Sequence, residues 1–68
     1  MTGAAMSERE EKFERMLAFV RASYEAAVRQ MQQLKAEGKT KTVRYRKLMG
    51  EKLTYQNMLS IYRSYGLL

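Results

Sequence analysis

The sequence predicts an all-α fold, an antiparallel two-helix hairpin that dimerises into a four-helix bundle. Three observations predict it. There is no proline, and glycine is confined to Gly3, Gly38, Gly50 and Gly66, so the chain has few places to turn. A heptad-spaced apolar seam fills the first half. A short Gly-Lys-Thr-Lys-Thr connection, residues 38–42, then leads into a second segment patterned at helical spacing, and so short a link favours antiparallel neighbours.

Residues 1–6 read as a flexible N-terminal tail, because Thr2, Gly3, Ala4 and Ala5 are small and start no periodicity. A first helix is expected over 7–37. Ser7 is its N-cap, and Glu10, three residues on, completes a capping box. Glu8, Glu10 and Glu11 complement the positive end of the helix dipole. Apolar positions then fall at Phe13, Leu17, Val20, Tyr24, Ala27, Met31 and Leu34, with alternating steps of four and three. Met16, Phe19 and Ala26 widen this stripe on one side, with Ser23 between them. That is more apolar surface than one partner helix covers, which points to a four-helix bundle. Lys35 suits the last turn and Gly38 the C-terminal cap.

The single domain of residues 7–68 continues through the loop to a second helix over 43–65, capped by Thr40 or Thr42. Tyr45, Leu48, Tyr55, Leu59 and Tyr62 share a face, with the Lys52 stem among them. Val43, Met58, Ile61 and Tyr65 form a second stripe, and Met49 and Leu53 flank the first on its other side. Only the side of Arg46, Gly50, Asn57 and Ser64 is left for water, so this helix is expected to be covered on more than one side. It should run unbroken through Gly50. At about 1.5 Å per residue the first helix outreaches the second, and the excess is expected at its acidic first turns.

With 68 residues, 46% hydrophobic and 29% charged, the chain is globular but can build only a small core. Such cores use disulfides, a metal or oligomerisation. Cys and His are both absent, which removes disulfides, thiolate metal sites and the commonest zinc ligand and general base. Oligomerisation is the staple that remains, with a homodimer as the expected state. No cofactor, metal or small-molecule substrate is indicated. Gly38-Lys39-Thr40 matches the end of a phosphate-binding loop, but that motif needs Gly where Gln33 stands, and a preceding strand. Without a pocket, a metal or a positioned nucleophile there is no reaction to assign, and a non-enzymatic role is expected. The longest apolar run, Met16 to Val20, is too short to cross a bilayer, and no signal peptide is apparent. A cytoplasmic location is the default expectation.

The net charge of +6 is unevenly placed. Residues 1–38 balance six Lys/Arg against six Glu, whereas residues 39–68 set seven Lys/Arg against Glu51 alone. Lys39, Lys41, Arg44, Arg46 and Lys47 surround the start of the second helix, which the dipole already makes positive. Something negative is expected nearby. One source is Glu8, Glu10, Glu11 and Glu14 of another subunit, laid against this end in an antiparallel dimer. Others are an acidic protein or the phosphates of a nucleic acid. The tyrosines could stack on bases, but their helical spacing suits a core or interface better. The functional expectation is a small structural or protein-interaction module that self-associates. The alternative is a small RNA- or DNA-binding regulator using the basic loop end.

Overall fold

The computed structural model describes residues 7–68, so the tail assigned to residues 1–6 lies outside the described residues. Two helices, α1 (Glu8–Ala36) and α2 (Val43–Ser64), pack against each other as an antiparallel hairpin. Among the described residues there is no strand.

Each helix end is closed by a local hydrogen-bond device. At the start of α1, Ser7 Oγ accepts from the Glu10 amide at 3.1 Å, and the Ser7 amide donates to Glu10 Oε1 at 3.3 Å. This is the reciprocal capping box, with the Glu8, Glu10 and Glu11 carboxylates in the same turn. At the other end Gly38 takes φ +73°. Its N–H donates to the Lys35 carbonyl at 3.0 Å, and the Lys39 N–H to the Leu34 carbonyl at 2.8 Å. That pair of bonds is a Schellman motif, which a residue with a Cβ enters only with strain. The same device ends α2. Gly66 sits at φ +75°, its N–H donates to the Arg63 carbonyl, and the Leu67 N–H donates to the Tyr62 carbonyl.

Of the two threonines able to cap α2, Thr42 does so. Its Oγ1 accepts from the Tyr45 amide at 3.1 Å and donates to the Lys39 carbonyl at 2.9 Å. One hydroxyl thus ties the loop to the helix it starts. α2 runs unbroken through Gly50, where Thr54 Oγ1 donates to the Gly50 carbonyl at 2.9 Å.

The heptad seam of α1 faces α2. Leu17, Val20, Ala27 and Met31 are buried, and Phe13, Tyr24 and Leu34 are half-buried. From α2, Leu48 is buried, while Tyr45, Lys52, Tyr55, Leu59 and Tyr62 are half-buried. Two contacts set the register. Phe13 and Tyr62 meet edge to face with centroids 5.6 Å apart, and Arg44 reaches Gln30 at 3.3 Å near the loop. Phe13, five residues into α1, meets Tyr62, two residues before the end of α2, so about one turn at the acidic start of α1 extends past α2, and Gly66 and Leu67 line a groove with Ser7, Glu10 and Phe13 there. The rest of the excess length lies at the loop end, because Gln30, six residues before the end of α1, meets Arg44, one residue into α2.

The hairpin measures 55 × 20 × 15 Å and has a radius of gyration of 16.0 Å. A compact domain of this length would have about 11 Å. The molecule is a ribbon two helices wide and one helix thick. Among the described residues no helix is long and apolar enough to cross a membrane.

Two glycine substitutions should have opposite signs. A Cβ at Gly50 meets nothing within 4 Å and Gly50 is helical, so Gly50→Ala should stabilise by about 0.5–1 kcal/mol. Gly38 also has open space around it, but its positive φ should make Gly38→Ala destabilising by about 1 kcal/mol. Urea unfolding followed by circular dichroism measures both. In the same assay Leu48→Ala, which opens the one buried position of α2, should cost about 2–3 kcal/mol.

Candidate functional site

Two kinds of surface stand out on this ribbon: a basic tip at the loop end, and apolar patches on its two broad faces. The tip is built by the Schellman turn, which ties Gly38 and Lys39 back to Lys35 and Leu34, and by the Thr42 cap, which bonds Lys39 and Tyr45. From this frame project Lys39 and Lys41 on the loop and Arg44, Arg46 and Lys47 on the first turn of α2. All five are exposed. At about 100° per residue, Arg46 lies about 200° and Lys47 about 300° around the helix from Arg44. The three helical cations therefore spread over an arc of about 160° on the outward side of the helix start instead of forming a narrow stripe along it.

Few of these charges are neutralised locally. Lys39 Nζ lies 3.3 Å from Glu37, an exposed pair of small energetic value. The Arg44 guanidinium donates to the neutral Gln30 side chain. Lys41, Arg46 and Lys47 have no hydrogen-bond or ion-pair partner among the described residues, and the first turn of α2 contains no acidic residue.

The opposite end is different. Glu8, Glu10, Glu11 and Glu14 are there, but so are Arg9, Lys12 and Arg15, with Arg63 on the last turn of α2. Lys12 is paired with Glu8 at 2.9 Å. Four carboxylates thus meet four cations at this end, while Lys35 and the five tip cations meet only Glu37 at the other. Nearly all of the +6 net charge resides at the loop end.

The apolar flanks fall on two faces. Tyr62 Oη approaches Met16 Sδ at 3.9 Å, and Arg44 meets Gln30 on the same side of the seam. Helical spacing places Phe19 and Met58 on that side as well, whereas Ile61, about 100° around α2 from Tyr62, lines a groove with Asn57, Ser60 and Ser64 on the outer side of the helix. Phe19 is 64% exposed and Ile61 54%, and Met16 is also exposed. The other face carries the grooves lined by Val28, Lys35, Tyr45 and Lys52 and by Tyr24, Gln56 and Ser60. Met49 and Leu53, both exposed, lie on the α2 side of that face. Val28 belongs neither to the seam nor to the flanking stripe of α1, and periodicity alone did not single it out. Its signal is its position one residue past Ala27, on the edge of the seam.

The tyrosines do not form a stacking platform. Tyr24, Tyr45, Tyr55 and Tyr62 are half-buried in or beside the seam. Tyr65 is 77% exposed, but it lies at the end away from the basic tip. Among the described residues no three carboxylates gather where they could hold a metal ion.

The cations around the start of α2 oppose its dipole, and a carboxylate placed among them should relieve that. Thr42→Asp keeps an acceptor for the Tyr45 amide and adds a negative charge but gives up the bond to the Lys39 carbonyl, so its stability relative to the wild type should be about 0.5–1 kcal/mol better at low salt than at high salt. Thermal unfolding at two ionic strengths measures it.

Compared with protein-family models, curated proteins and solved structures, the chain matches none, so its function has to be argued from these surfaces alone.

Proposed function

We propose that the chain is a non-enzymatic helical interaction module that self-associates, two hairpins packing face to face into a four-helix bundle. The observation that carries this reading is the apolar face of Met16, Phe19 and Met58, on which Met16 and Phe19 are exposed, beside a seam that buries only five side chains. A core this small is marginal alone, and a second copy supplies what neither disulfide nor histidine-bound metal can. A two-fold axis through the patch sets each Phe19 near its counterpart, as an isologous interface requires. The opposite face, with Met49 and Leu53, presents less aromatic surface and is the weaker candidate.

Charge gives this assembly less direction than the distribution of glutamates suggests. The end holding Glu8, Glu10, Glu11 and Glu14 is balanced by its own cations, so an antiparallel pairing of acidic end to basic tip has little net attraction to draw on. Apolar burial is the main driving force in this reading.

Analytical ultracentrifugation at micromolar concentration should give a species of two chains. Phe19→Glu combined with Met58→Glu should convert it to a monomer whose helical circular dichroism is lost at a lower temperature, while Met49→Glu with Leu53→Glu should leave the dimer intact. A well-folded wild-type monomer would refute the proposal. A dimer broken only by the Met49 and Leu53 changes would move the interface to the other face.

A further inference from the structure

We infer that the loop end is a docking tip for nucleic acid, holding the phosphate backbone through Lys39, Lys41, Arg44, Arg46 and Lys47. The inference stands apart from self-association, because the tip shares no residue with the apolar face proposed for the dimer.

Three observations lead to it. First, the positive charge is segregated. One end of the ribbon has matched cations and carboxylates, and the other has Glu37 alone among its cations. A surface serving only solubility would not need this separation. Second, the charges are free to act. Lys41, Arg46 and Lys47 are exposed and unpaired among the described residues, and Arg44 is bound only to a neutral amide. Third, the frame is rigid at its base. The Schellman turn and the two bonds of the Thr42 hydroxyl fix the loop before any ligand arrives, so docking orders the side chains but not the backbone.

The form of the tip distinguishes phosphates from other anions. The five exposed cations come from the loop and from the outward half of the first turns of α2, a blunt helix end and not one helix face, so the tip has no helix to lay along a groove and read base edges. Tyr45 is half-buried against the seam, so no aromatic ring at the tip is placed to stack on bases. An acidic protein partner would need an apolar anchor to give a specific interface, and the tip offers only Val43. Point charges spread over a convex surface suit a row of phosphates, bound without sequence preference.

The test compares two triple variants with the same net charge. Lys41→Gln, Arg46→Gln and Lys47→Gln remove tip charges that have no intramolecular contact. Arg15→Gln, Arg21→Gln and Arg29→Gln remove the same charge from exposed positions on α1. Wild type and both variants are titrated by fluorescence anisotropy against a labelled single-stranded RNA and a labelled DNA duplex, at about 50 mM and about 200 mM salt. The wild type should bind both probes at the lower salt and weaken steeply at the higher. The tip variant should lose at least about tenfold in affinity, with a salt slope shallower by about two to three units, and the α1 variant should lose much less. No binding at the lower salt overturns the proposal. So does equal loss in the two variants, which would make binding a matter of net charge alone. Ultracentrifugation without nucleic acid separates the remaining case: if the tip variant dissociates the assembly, those charges serve contact between copies, and the proposal fails. A wild-type monomer that still binds through its tip would refute the assembly reading and leave this one standing.

Discussion

The seam between α1 and α2 is the one surface this chain can bury by itself, and the rest of the structure follows from how narrow it is. Two helices share a single line of contact. Seven heptad-spaced positions of α1 and the Leu48–Tyr55–Leu59–Tyr62 face of α2 fill that line, yet only Leu17, Val20, Ala27, Met31 and Leu48 become buried. The others remain partly wet because no third element covers the edge of the seam. Side chains further around each helix, such as Phe19 and Ile61, are left more than half exposed. The exposure of large apolar groups is thus a geometric consequence of building with two helices, and contiguous exposed apolar surface of this kind commonly marks an association site.

A thin ribbon with so little core relies on its ends being well closed. The capping box at Ser7, the Schellman turns at Gly38 and Gly66 and the doubly bonded Thr42 hydroxyl satisfy backbone groups that would otherwise fray. Against this pattern the start of α2 is an exception. Its cap is good, but its first turn has cations where α1 has carboxylates. Local helix stability does not explain that choice, since dipole and like-charge terms both oppose it. The unfavourable local electrostatics are the basis on which the tip is proposed as a binding surface.

Much of the architecture was legible in the residues because it depends on neighbours in sequence. The four-three spacing from Phe13 to Leu34 is a local pattern, and so is the Ser7–Glu10 box. The glycine at position 38 sits where a left-handed residue was needed, and the helical run through Gly50 continued because no second breaker lies beside it. The candidate surfaces were harder to read. Counting Glu8, Glu10, Glu11 and Glu14 suggests an acidic end, but a linear count does not pair Lys12 with Glu8 or set Arg63 beside that end. Likewise, the stripes flanking the seam could be assigned to each helix separately. Their grouping into two opposite faces required knowing which side of α1 meets which side of α2.

By itself, the sequence determined that this protein is helical, that two helices pack against each other, and that nearly all of its excess positive charge gathers at the connection between them. Helical periodicity, capping and composition act over a few residues, so they are written in the chain. Only the tertiary structure decided that Arg63 comes to the end bearing the acidic turns, that Gly66 and Leu67 fold beside the first turns of α1, and that Met16, Phe19 and Met58 share one face. These depend on the register of two helices whose facing residues lie up to forty-nine positions apart, as Phe13 and Tyr62 do. Register is set by side-chain packing across the seam, an interaction that no local pattern in the sequence records.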